Sequence, residues 1–151
     1  MVLIKSTPAK QRDVYELPNS YKKVWKYKDI DLLINHVNIM KTIWPDYIKE
    51  YGWSHDTMWV EVKKISGVTA NKFPHSPDFI KKIYKFCLDN IKQTAPYAHY
   101  DWVLSNIIID DDKIYMIDWD NVGLYSNEEI LIKLHADLKS AFGEKFDPAS
   151  I

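Results

Sequence analysis

Glycine is scarce in this chain: there are four in 151 residues, at positions 52, 67, 123 and 143. None falls in the first fifty residues, which excludes there the kind of glycine-rich loop that wraps bare backbone around an anion. Cysteine is scarcer still. Cys87 stands alone, so no internal disulfide can form, and its place in an apolar-periodic stretch reads as a small core residue in a reducing compartment. An excess of one charge is also missing. Twenty basic and twenty-one acidic residues leave a formal net charge of -1, which excludes a nucleic acid or an anionic membrane held by bulk electrostatics. No apolar run approaches the roughly eighteen residues of a membrane span, and Met1 to Lys5 is too short for a signal-peptide core. These absences lead to the expectation of a soluble, cytoplasmic protein without a membrane partner.

What is present is apolar and aromatic. Hydrophobic residues make up 46% of the chain, with six Trp and ten Tyr, enough to fill an interior and to exclude disorder. The length suits one domain. Arg12 to Leu17 and Tyr21 to Tyr27 read as two strands around a Pro18-Asn19-Ser20 turn. From Asp29, a candidate N-cap, the positions Leu32, Leu33, His36, Val37, Ile39, Met40 and Ile43 keep a helical period until Pro45. Two further β-like runs lie between Tyr47 and Ile65, turning at Ser54-His55-Asp56. After Gly67 the character changes. Ser76-Pro77-Asp78 opens a helix with Phe79, Ile80, Ile83, Phe86, Cys87 and Ile91 on one face. A hairpin follows, Asn106 to Ile109 and Ile114 to Ile117, and then a capping box of Ser126 with Glu129 starts a last helix. The reading is α+β, a small β-rich lobe over 1–66 followed by a reduced, mostly helical lobe over 67–151.

The chemistry concentrates around that second hairpin. His99-Tyr100-Asp101-Trp102-Val103-Leu104-Ser105-Asn106 precedes it, and Ile117-Asp118-Trp119-Asp120 closes it. Asp101 is placed to take a proton from a hydroxyl. Asn106 and Asp118 are oxygen donors of the kind that Mg²⁺ prefers when it bridges nucleotide phosphates. Asp110, Asp111 and Asp112 read simply as turn residues at the hairpin tip.

The pattern H-x-D-x-x-x-x-N followed by I-D-W-D resembles the catalytic core of the protein-kinase-like superfamily, nearer to aminoglycoside phosphotransferases and choline kinases than to protein kinases. The resemblance implies a two-lobed kinase-like fold, ATP and Mg²⁺ as cofactors, and a small-molecule acceptor. It implies Asp101 as catalytic base, His99 as a structural brace, and Asn106 and Asp118 as metal ligands. In Val24-Trp25-Lys26 it implies Lys26 as the strand lysine that holds phosphates, with Lys23 as the alternative if the strand bulges. In Val62-Lys63-Lys64-Ile65-Ser66 it implies a hinge where backbone near Lys63 and Ile65 meets the adenine edge. The chain departs from the pattern in three places: His36 stands where a helix glutamate belongs, no glycine lies between the first two strands, and Val103 occupies a position where protein kinases carry lysine.

The expectation is therefore an ATP- and Mg²⁺-dependent phosphotransferase acting on a small-molecule hydroxyl. The alternatives are a pseudokinase-like binding or scaffolding module without turnover, and a fragment completed by self-association into a homo-oligomer.

Overall fold

A computed structural model describes all residues, 1–151. The chain is α+β and divides into two compact units, Met1–Lys64 and Ile65–Ile151.

The first unit is built on five antiparallel strands: β1 (Val2–Thr7), β2 (Arg12–Glu16), β3 (Ser20–Trp25), β4 (Ile48–Trp53) and β5 (Met58–Lys63), in the spatial order β1-β2-β3-β5-β4. Helix α1 (Ile30–Ile43) links β3 to β4. Its start is set by Asp29, whose carboxylate accepts the Leu32 N–H at 3.1 Å, and Pro45 lies just past its end. Leu33, Val37 and Met40 recur at helical spacing and are buried, as are the alternate positions Met58, Val60 and Val62 of β5. Period 3.6 and period 2 each turn one apolar face inward, so the unit has a single core.

Strand β1 went unseen in the sequence reading. Its residues Val2, Leu3 and Ile4 are half exposed or more, so it shows no inward and outward alternation. It is a strand because β2 supplies a ladder, Leu3 opposite Tyr15 and Thr7 opposite Arg12. The β3 strand is shorter than expected, ending at Trp25; beyond it the Lys26 N–H bonds to the Gln11 carbonyl at 2.8 Å.

The second unit holds two long helices, α2 (Pro77–Thr94) and α3 (Asn127–Phe142), with five short strands: β6 (Val68–Thr69), β7 (Tyr97–Ala98), β8 (Ile107–Asp110), β9 (Lys113–Met116) and β10 (Gly123–Leu124). Strand β8 lies between β6 and β9, and β7 pairs with β10. Being central, β8 buries Ile107, Ile108 and Ile109 in succession, which is why it reads as an unbroken apolar run. The α2 helix is capped by Ser76, with Pro77 in its first turn, and buries Ile80, Ile83 and Cys87. Burial pushes the Cys87 thiol well above the usual range, leaving it unreactive. The capping box of Ser126 and Glu129 forms in both directions at α3, which buries Ile130, Leu134, Leu138 and Phe142. Gly67 enters β6 at φ +133°, and a β-carbon there would lie 2.6 Å from the Ile109 carbonyl oxygen. Only glycine fits that close passage beside β8. No helix is long and apolar enough to cross a membrane.

Candidate functional site

The site is a knot of backbone and side-chain hydrogen bonds in the second unit. Pairing of Ala98 with Gly123 lays the segment before Asp101 beside the segment after Asp118. His99 then follows, fully buried. Its Nδ1 accepts the Asp101 N–H at 3.0 Å, which leaves the proton on Nε2, and Nε2 donates to the Ile117 carbonyl at 2.9 Å. The imidazole is thus held as one neutral tautomer. Burial pushes its proton affinity down, opposed by the Ile117 carbonyl and by the charges of Asp118 and Asp101.

Asn106 ends a short turn over Leu104–Asn106 and is itself buried. Its amide nitrogen donates both protons to Asp101, at 3.2 Å to the backbone carbonyl and 3.1 Å to Oδ2. Its one acceptor atom, Oδ1, is not used on Asp101. The Asn106 backbone carbonyl accepts the Ile117 N–H at 2.8 Å. The Ile117 residue is therefore bonded on both sides, through its N–H to Asn106 and through its carbonyl to His99, and it delivers the next residue, Asp118, to the site.

Asp118 has a left-handed backbone, φ 59° and ψ 67°, a conformation that costs an L-residue about 1–2 kcal/mol. The turn after it is anchored by Trp119, buried, with its indole N–H on the Met116 carbonyl at 2.9 Å and its ring edge-on to His99 at 4.8 Å. Aspartate enters this region more readily than most L-residues, and here the turn fixes it beside a buried histidine.

The structure joins Asp101 to Asn106 directly, and Asp118 follows Ile117, whose N–H and carbonyl are bonded to Asn106 and His99. No cluster of three or more His, Cys, Asp or Glu forms a ready-made metal cage. In the first unit, Lys26 is not the inward strand lysine. It lies past the end of β3, its side chain 61% exposed, paired with Asp13 at 3.5 Å. The buried lysine of β3 is Lys23, opposite Val14 on one side and Val60 on the other. An odd step of three residues separates Lys23 from Lys26, so strand alternation puts the two on opposite faces, and Lys23 is the one turned inward. Lys63 spends its backbone N–H on the Tyr47 carbonyl at 2.7 Å and its ammonium on Asp46 at 2.9 Å. Ile65 is the first residue of the second unit. His36 is half-buried on α1, and Val103 is exposed.

Two residues that matter here escaped the sequence reading: Asp137 of α3, which accepts the Trp102 N–H, and Lys133, which pairs with Asp137. Their only linear signal is an i,i+4 pair of opposite charges, which most often marks a solvated helix face.

No family model and no curated protein matches the chain. Solved structures do. A low-resolution structure of WbdD with its C-terminal bundle ordered matches with a TM-score of 0.66 at 11% identity, over 91% of this chain and 33% of that one. A crystal structure of monomeric WbdD matches with a TM-score of 0.58 at 12% identity, over 93% and 38%. The chain shares its fold with part of WbdD and spans about a third of the length of those chains. This corrects the expected placement beside aminoglycoside phosphotransferases and choline kinases. A motif of some twenty residues suggested that assignment, and neither the family comparison nor these structural matches support it.

Proposed function

We propose that the chain is an ATP- and Mg²⁺-dependent phosphotransferase acting on a small-molecule hydroxyl, in the cytoplasm. The observation that carries this reading is the orientation of Asn106: its two amide protons are committed to Asp101, so its oxygen is the atom presented elsewhere. Asp101 receives the proton of the acceptor hydroxyl, oriented by the amide that touches its carboxylate.

The donor set fits Mg²⁺ held with phosphates better than a free-standing metal site. One amide oxygen (Asn106) and one carboxylate (Asp118) are hard ligands, and Mg²⁺ commonly takes only one or two carboxylates while water and phosphate oxygens complete its shell. When bound, it would neutralise phosphate charge. His99 cannot compete as a ligand, because both ring nitrogens are engaged. In the β-rich unit the buried lysine of β3 is Lys23, whereas Lys26 is exposed. Catalysis in such a site rests on positioning and electrostatics.

The test is a thermal shift and a turnover assay with ATP and Mg²⁺ over a panel of hydroxylated acceptors. A ligand that binds only the native state must raise its melting temperature. Asp101→Asn should keep the fold and reduce turnover by roughly 10² to 10⁴; undiminished turnover removes Asp101 from the role.

A second reading has one observation in its favour. The turn between β2 and β3 contains no glycine, so fewer backbone amides can close on a phosphate. A pseudokinase-like binding or scaffolding module without turnover would show weak or no Mg·ATP binding by calorimetry and no product over any acceptor.

A further inference from the structure

The Asp101–Trp102 peptide plane is held at both ends. Its carbonyl oxygen accepts from Asn106 at 3.2 Å. Its N–H, which belongs to Trp102, donates to Asp137 Oδ2 at 2.9 Å. Asp137 is in turn gripped by Lys133, one helical turn earlier on α3, whose ammonium lies 2.7 and 2.8 Å from its two oxygens. The same ammonium sits 5.8 Å from the centre of the Tyr100 ring, the residue before Asp101. An i,i+4 ion pair usually faces solvent and contributes little. Here the aspartate side chain is only 14% exposed and is turned inward onto a backbone donor, where a charged acceptor makes a short, strong hydrogen bond. Trp102 is wholly buried, so in the native chain its N–H relies on Asp137.

The consequence is conformational. His99 takes the Asp101 N–H and so constrains φ of residue 101, whereas the peptide plane shared by Asn106 and Asp137 constrains ψ. With both torsions fixed, the direction of the Asp101 Cα–Cβ bond is fixed. We propose that Asp137, braced by Lys133, is a positioning residue that sets where the Asp101 carboxylate stands during transfer. This rests on the phosphotransfer reading above. Asp137 touches no substrate and acts through the backbone of residue 102.

The experiment compares Asp137→Ala with Asp137→Asn in the full chain, reading hydrogen exchange of the Trp102 amide by NMR together with kcat and KM. Alanine removes the acceptor: the Trp102 amide should exchange at least about tenfold faster, and kcat should fall about 10- to 100-fold, the scale of a misplacement near 1 Å, with KM for Mg·ATP little changed. Asparagine still offers an oxygen and should recover most of the kcat that alanine loses. Should the alanine variant not fold, Lys133→Met loosens the brace and leaves the acceptor, and should speed Trp102 exchange by a smaller factor. Wild-type exchange at Trp102 in a folded Asp137→Ala or Lys133→Met chain overturns the proposal, as does an unchanged kcat in folded Asp137→Ala. Absence of turnover in the wild-type chain defeats the phosphotransfer reading alone, because the exchange comparison then still decides whether Asp137 holds the loop.

Discussion

Asn106→Asp replaces two donated protons by a second carboxylate at a place where the amide nitrogen now lies 3.1 Å from Asp101 Oδ2. Two hydrogen bonds to Asp101 are lost, each worth roughly 0.5–3 kcal/mol depending on whether it reaches the carbonyl or the charge. Two like charges about 4 Å apart repel by about 4 kcal/mol at the effective dielectric of a protein surface. The chain can escape that repulsion by protonating one carboxyl, which for an ordinary carboxylate costs about 1.4 kcal/mol per pH unit above 4, or about 4 kcal/mol at pH 7. The two routes are matched near neutrality, so the variant should be weakened there by about 4 kcal/mol beyond the lost hydrogen bonds and by much less at pH 5. The sign follows from linkage: a carboxyl whose folded pKa is raised contributes stability at low pH and loses it as pH rises through the folded value. Melting temperatures from pH 5 to pH 8, with Asn106→Leu as the uncharged control, read this directly. The Asn106→Asp deficit relative to Asn106→Leu should grow by roughly 5–10 °C across that range, and millimolar Mg²⁺ should reduce it. A deficit independent of pH would mean that residues 101 and 106 are not in contact, and the site as described would fall.

The remaining expectations use the same stability assays. Because Asp118 sits in the left-handed region, Asp118→Gly should be more stable than Asp118→Ala by roughly 1 kcal/mol, while both abolish Mg²⁺-dependent nucleotide binding by calorimetry; equal melting temperatures would refute the strain. His99 is buried with its proton affinity lowered, so the unfolded chain takes up the proton first and His99 weakens the fold as pH drops below about 6.5. That acid slope in melting temperature should shrink in His99→Gln, and an unaltered slope would assign it to other groups. Truncating Leu134, which is fully buried on α3, to alanine should cost about 2–5 kcal/mol in denaturant unfolding.

Much of the architecture was legible because its causes are local. The capping box at Ser126 and Glu129, the Ser76-Pro77 start of α2, the Asp29 cap and the hairpin tip at Asp110 to Asp112 each act within a few residues, and each appears where the spacing placed it. The proximity of Asp101 and Asn106 was readable for the same reason, since Asn106 lies only five positions after Asp101. The elements that went unread depend on something distant. Strand β1 exists only because β2 offers it a ladder, and which of Lys23 and Lys26 faces inward was decided by the register that β2 and β5 impose on β3. The family placement failed differently: a short motif can be matched without the rest of the chain following it.

By itself the sequence determined which residues could cap, pair and alternate, and hence three amphipathic helices, a buried hairpin and the three polar residues around it. Only the tertiary structure decided that Ile117 is held by both His99 and Asn106, that His99 carries its proton on Nε2, and that Asp137 closes the loop from α3. The physical reason is range. Periodicity and capping are written in neighbours along the chain, whereas a hydrogen bond between residues 102 and 137 exists only once packing has brought the loop and the helix together.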